Sequence, residues 1–145
     1  MSIAYEKDII AWANEQAGYI RAGRFDLVDA EHLAEEIETM GKSEKRALAS
    51  SMLVLLMHLL KWQYQPDRRS ASWNQSIKVQ RDEIQYDLKD IPSLKTLFKD
   101  EEWQKIVWRK ARLEASKETG LGLNVFPDDC PWSMTDVLKD DWLPE

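Results

Sequence analysis

The sequence has one cysteine, few glycines and prolines, two histidines and no long apolar run, and each shortage excludes something. Cys130 has no partner for an internal disulfide, and no Cys-x-x-Cys pair exists to chelate zinc or exchange thiols. With 5 Gly and 5 Pro in 145 residues, the turns of a many-stranded β fold are missing. The longest apolar stretch, Met52 to Leu60, is interrupted by His58 and is far shorter than a bilayer span. The opening Met-Ser-Ile-Ala-Tyr-Glu-Lys-Asp reaches acidic residues at once and lacks the apolar core of a secretory signal. A cytoplasmic protein with no membrane segment is the expectation. Motifs of chemistry are scarce too: there is no Gly-x-Ser-x-Gly elbow, no His-Glu-x-x-His and no Walker loop.

What is present is apolar side chains at helical spacing. The chain is 43% hydrophobic and 32% charged, enough apolar matter for a core, and it carries 7 Trp. Ile9, Trp12, Ala13, Gln16 and Ile20 recur at three- and four-residue steps, and Gly23 is placed to end that helix. Asp29 can cap a short helix with Leu33, Ile37 and Met40 inward, closed by Gly41. Ser43 can cap the next, which stops at Pro66 and is apolar almost all round from Met52 to Leu60; such a helix belongs at the centre of a bundle. Ser70 or Ser72 opens a helix along Trp73, Ile77, Ile84 and Leu88, with a boundary at Pro92. A fifth helix, broken near Lys99 or Asp100, carries Trp103, Ile106, Val107, Lys110, Ala111 and Glu114 and ends at Gly120. Residues 121–132 read as an ordered loop, and Ser133 with Asp136 as the cap of a short last helix.

The predicted architecture is therefore all-α: a single domain over 1–145, with about five helices around a buried central helix at about 43–65. Trp108 lies off the apolar face of its helix. The C-terminal segment should fold back to cover it through Phe126, Trp132, Trp142 and Leu143.

Charge is segregated. Residues 1–41 carry 3 basic and 9 acidic side chains, residues 42–81 carry 8 and 2, and residues 82–145 carry 9 and 15. The net −6 opposes polyanions, yet it conceals a basic middle. Arg68, Arg69, Lys78, Lys61 and Trp73 are the candidate anion-binding residues, since two of them precede a helix start and aromatic side chains lie close by. The competing reading pairs Arg68, Arg69, Lys78 and Arg81 with the acidic segment Asp26 to Glu38, which has six carboxylates and no Lys or Arg. Glu31, Glu35 and His58 are the weak metal candidates, with Asp29 and His32 three residues apart. The di-iron bundle pattern needs Glu-x-x-His on two helices, and neither is here. His58 shares a heptad-spaced polar line with Glu44, Ser51 and Gln65, and the expectation is a hydrogen bond to a neighbouring helix rather than a role as base or metal ligand.

Several stretches resemble one family. They are Leu33-Ala-Glu-Glu-Ile-Glu38, Leu55-Leu-Met-His-Leu-Leu-Lys-Trp-Gln-Tyr-Gln-Pro-Asp-Arg-Arg-Ser-Ala-Ser-Trp73, Glu118-Thr-Gly-Leu121, Phe126-Pro-Asp-Asp-Cys-Pro-Trp132 and Asp141-Trp-Leu-Pro144. Over nearly the whole chain they are similar to the domain of unknown function 29 family, which is bacterial and prominent in cyanobacteria. The resemblance implies an all-helical fold, carries no activity, and highlights Glu35, Glu36, His58, Lys61, Trp62, Arg68, Arg69 and Trp73.

Three functions remain open from the sequence. The first is a non-enzymatic adaptor or regulator working through protein–protein contact, with a protein partner or as a homodimer, and needing no cofactor. The second is an anion- or nucleic-acid-binding module through 61–81. The third is a metal-dependent enzyme using the acidic helix and His58.

Overall fold

A computed structural model describes residues 3–145; Met1 and Ser2, the first residues of the expected domain, lie outside it. The described residues form helices and no strand. They divide into two compact units, Met1–Glu44 and Lys45–Glu145.

In the first unit, α1 spans Ile9–Arg21 and is capped by Asp8, whose side chain accepts from the Ala11 amide at 3.0 Å. It ends as the sequence predicts, with Gly23 in the left-handed region at φ 74°. Asp29 accepts from the His32 amide at 3.3 Å and opens the next helix. That helix does not stop at Gly41. α2 runs unbroken from Ala30 to Tyr64, 35 residues, so the two helices expected at 29–41 and 43–65 are one. Interior glycine costs a helix only about 1 kcal/mol, no proline lies between Ala30 and Tyr64, and the good helix formers around Gly41 carry the chain through.

The second unit is an all-α bundle around the remainder of α2. Leu48, Met52, Leu55, Leu56, Leu59 and Leu60 are buried, as a central helix requires. The burial is not all round: Leu53, Val54 and His58 are half-buried and form a thinner side. Pro66 starts a single 3-10 turn, and Ser70, accepting from the Trp73 amide at 3.2 Å, caps α3 at Ala71–Asp90. Pro92 ends α3's run, and 3-10 turns over Pro92–Lys99 lead to Asp100, which caps α4 at Glu101–Thr119. The break thus falls at one of the two positions expected. α4 closes on Gly120 at φ 76°. Ser133 accepts from the Asp136 amide and caps α5, the single turn Met134–Val137.

α4 buries Val107 and Ala111 from the expected line, but the line is shifted towards Trp108 and Ala115. Val107, Trp108, Ala111 and Ala115 are buried, whereas Ile106 faces out. The reason is the C-terminal segment, which supplies a second wall. Trp108 donates its indole N–H to the Pro127 carbonyl at 3.0 Å and meets Trp132 edge-on at 5.5 Å, and Trp132 meets Trp142 at 5.8 Å. Phe126 is buried and Leu143 packs on the core, so the predicted return of residues 126–143 over α4 is observed. Each edge-on aromatic pair adds about 0.5–1.5 kcal/mol to the area it buries.

Candidate functional site

The basic segment is where the sequence places an anion site, and two of its cations, Lys61 and Arg69, already have partners. The Lys61 ammonium lies 3.6 Å from a Glu118 carboxylate oxygen and 4.8 Å from the centre of the Trp73 ring. Arg69 donates its Nε–H to the Trp62 carbonyl at 2.7 Å, with its guanidinium 5.0 Å from the Trp62 ring. These contacts fasten the turn after α2, where Arg68 and Arg69 are both exposed. Lys78 lines a cavity of about 270 Å³ with Arg81, Asp82, Asp140 and Asp141, where three carboxylates offset two cations. The five candidates are therefore split: Lys61 and Trp73 come together, Arg69 turns to Trp62, and Lys78 sits among carboxylates.

Arg81 is the residue the sequence undervalues. It is 2% exposed and donates Nε–H to the Val137 carbonyl at 2.9 Å and Nη2–H to the Trp142 carbonyl at 2.8 Å. Burial lowers its pKa, and the nearby Asp140, Asp141 and Asp82 oppose that shift. Gln85, one turn on, donates to the Leu138 carbonyl. The sequence does carry a signal: Arg81 stands on the Ile77, Ile84, Leu88 stripe, where a charge must find buried acceptors. The expected pairing with the acidic segment gives way to these backbone acceptors.

The metal candidates are not assembled by this fold into ligands. His58 Nδ1 lies 2.9 Å from the Val54 carbonyl, one turn back on its own helix, and is satisfied there. Glu31 and Glu35 are exposed on α2. Among the described residues, no group of three or more His, Cys, Asp and Glu could hold a metal ion. Cys130 is half-buried with its Sγ 3.4 Å from the Trp132 carbonyl, and burial pushes its thiol pKa up, away from nucleophilic use.

The most connected polar cluster lies in the first unit and is built around His32. Its Nδ1 is 2.7 Å from Asp29 Oδ2 and its Nε2 is 3.2 Å from a Glu6 carboxylate oxygen. The Tyr5 ring stacks on the imidazole at 4.2 Å and meets Trp12 edge-on at 4.8 Å. Tyr5 donates its hydroxyl proton to Glu36, Trp12 donates its indole N–H to Asp29 at 3.2 Å, and the Asp29 amide donates to Gln16. The hydrogen bond with Asp29 raises the His32 pKa and lowers that of Asp29; the hydrogen bond to Glu36 pushes Tyr5 up to about 12. With both ring nitrogens engaged, the imidazole is neither a ligand nor an available base. The Asp29-x-x-His32 spacing that suggests metal is instead a clasp joining the N-terminal turn, α1 and the start of α2. Nothing in the sequence singles out Tyr5 or Glu6 for it.

The clasp covers only part of this unit's apolar surface. Trp12 and Gln16 are its buried residues. Ile9 and Ile20 are 48% and 45% exposed, and with Ala13 they lie within about 40° on α1 at 100° per residue. Ile10 is 74% exposed, and Phe25, Leu27, Ile37 and Met40 are also exposed. Leu33 is half-buried, so of the three side chains expected to face inward on this stretch of α2, Ile37 and Met40 do not. The inward positions go to His32, Leu33 and Glu36, because the clasp needs the polar pair. Residues 1–44 hold 4 basic and 10 acidic side chains, whereas residues 45–145 hold 16 of each, so the formal charge of the chain belongs to the first unit.

The model of the family described as Domain of unknown function DUF29 matches residues 4–143. No curated protein and no solved structure matches the chain. Among the described residues, no helix is long and apolar enough to cross a membrane.

Proposed function

The chain belongs to the DUF29 family, and from that premise we propose that it is a non-enzymatic adaptor or regulatory protein whose first unit makes contact with another protein. One observation carries the reading: the large apolar side chains left outside the first unit, Ile9, Ile10, Ile20, Phe25, Ile37 and Met40 among them. Monomeric proteins rarely expose apolar surface in such concentration unless something covers it. The polar groups beneath are tied in a closed clasp, which suits a rigid platform better than a reaction centre. The anion-binding reading is less well supported, because Lys61 and Arg69 already have partners within the second unit. A bacterial cytoplasm is the setting we infer, in keeping with a lone, unpaired cysteine.

Site-specific photo-crosslinking in the native cell tests this. A photoreactive residue at Ile10 or Ile37 should yield a discrete protein adduct that Phe25→Ser weakens. The same residue at Val79, an exposed apolar position of the second unit, should not. Absence of adducts at both first-unit positions would refute the reading.

A further inference from the structure

We infer that the second unit holds a binding site for a basic α-amino acid, between α3 and the turn that follows α5, and this site is independent of the contact reading above. The place is the cavity of about 270 Å³ lined by Lys78, Arg81, Asp82, Asp140 and Asp141. Lys78, Arg81 and Asp82 stand at i, i+3 and i+4 on α3, so one turn of helix presents them side by side. Asp140 and Asp141 come from the turn after α5 and supply the rest of the lining. Four of the five side chains are exposed and make the rim, whereas Arg81, 2% exposed, is the floor.

The floor carries an unspent donor. Arg81 uses Nε and Nη2 on the Val137 and Trp142 carbonyls, and among the described residues Nη1 donates to no acceptor. A guanidinium nitrogen kept from bulk water needs an acceptor, and a carboxylate suits it best. Asp82, Asp140 and Asp141 act on Arg81 through space, yet among the described residues no carboxylate forms an ion pair with Arg81 or Lys78. Asp140 is held by Gln85, whose Nε2 donates to its Oδ1 at 3.2 Å. Asp141 has φ 63°, a left-handed backbone that Asp and Asn enter more readily than other side chains.

These charges choose the ligand. A plain anion would meet three carboxylates, and a plain cation would meet Lys78 and Arg81. Two cations and three carboxylates leave one negative charge in excess, which a ligand with one carboxylate and two amines neutralises. A basic α-amino acid has that set. Its carboxylate takes Lys78 and Arg81 Nη1, and its two ammonium groups take the aspartates. At about 270 Å³ the cavity falls below the roughly 300–1,000 Å³ of sites for drug-sized ligands, which suits so small a molecule.

Chemical-shift titration of the full, isotope-labelled chain tests this with three probes. They are L-lysine, L-norleucine, which lacks the side-chain amine, and cadaverine, which lacks the carboxylate. L-lysine should give saturable shifts at the amides of 78–85 and 138–142 with a Kd below about 1 mM, and the other two should bind at least about tenfold more weakly. Lys78→Ala and, separately, Asp141→Asn should each weaken L-lysine binding at least about tenfold while the melting temperature holds. Both positions are exposed, and asparagine enters the left-handed region as aspartate does.

No saturable shift with L-lysine up to about 10 mM would overturn the inference, as would shifts confined to residues outside 78–85 and 138–142. Cadaverine binding equal to that of L-lysine would overturn it too, since acidic charge alone would explain it. Equal binding of L-norleucine would leave the second amine without a partner, and the inference fails. It fails again if either variant binds L-lysine as the parent does. The crosslinking test of the first unit decides the contact reading separately in every case.

Discussion

Replacing Arg81 with methionine should loosen the C-terminal segment from the second unit. Methionine has similar helix propensity and an unbranched stem, so α3 itself should persist. What is lost is a pair of hydrogen bonds from one buried cation to the Val137 and Trp142 carbonyls, at 2.9 and 2.8 Å. Each bond to a charged donor contributes about 1.5–3 kcal/mol, and each buried acceptor left unpaired costs about 1–3 kcal/mol on the same scale. Removing the guanidinium also removes its own desolvation cost, so the net for both bonds should be about 2–4 kcal/mol. Unfolding entropy near 2.1 cal/mol/K per residue gives about 0.2 kcal/mol/K for a unit of about 100 residues, hence a fall in Tm of roughly 10–20 °C. Arg81→Lys, which keeps the charge but loses the forked geometry, should fall between. Lys78→Ala, an exposed change one turn away, should stay within about 0.5 kcal/mol. Differential scanning calorimetry reads the magnitude, and hydrogen exchange over 126–143 locates it. A methionine variant within about 2 °C of the parent, or one that loses protection evenly along the chain, would refute the reasoning.

Trp108→Ala should cost about 3–5 kcal/mol, since it removes a buried indole, its bond to Pro127 and the edge-on contact with Trp132; urea midpoints would show it. Gly41→Ala should stabilise the chain by roughly 0.5–1 kcal/mol, because the residue is inside a helix and an added Cβ meets nothing within 4 Å. Gly120→Ala has the same room but φ of +76°, so it should destabilise by about 1–2 kcal/mol, and thermal melts of the two variants should move in opposite directions.

The clasp gives a pH dependence. His32 has a raised pKa, so its contribution is complete below its ordinary 6.5 and is lost as pH rises through the raised value. Asp29 has a lowered pKa, so its contribution is present above its ordinary 3.8 and is lost as pH falls through the lowered value. Amide exchange in α1, corrected for intrinsic rates, should therefore be slowest between about pH 4 and 6.5 and quicken towards pH 8. His32→Asn should remove the alkaline limb, and an unchanged profile in that variant would count against the clasp.

How much of the fold and the site was legible in the residues differs by kind of signal. Caps and stops are local, so Asp29, Pro66, Ser70, Asp100, Gly120 and Ser133 could be read where they stand. Gly41 misleads because glycine is a helix end only where the backbone turns left-handed, and the helix-forming residues on its C-terminal side keep it right-handed. The covering of Trp108 was legible because a large aromatic off its stripe needs a second wall. Arg81 was legible in position but not in partner, since its acceptors are carbonyls more than fifty residues away. The clasp was not legible, because an acid three residues before a histidine reads alike as ligand, pair or cap. The open face of the first unit escaped for a related reason: periodicity marks Ile37 and Met40 as apolar but cannot say whether anything covers them.

The grip on the C-terminal segment has a consequence for how this chain can vary. Arg81 holds the carbonyls of Val137 and Trp142, Gln85 that of Leu138, Trp108 that of Pro127, and Arg112 those of Leu123 and Phe126. Every one of these acceptors is a main-chain atom, which any amino acid would supply. Tolerance should accordingly be lopsided across the contact: the exposed side chain at 123 is open to exchange, whereas the four that grip the segment, and Leu138 with its packing on the core, are not. A single insertion between 127 and 137 would do more harm than several substitutions there, because it moves every acceptor after it out of reach.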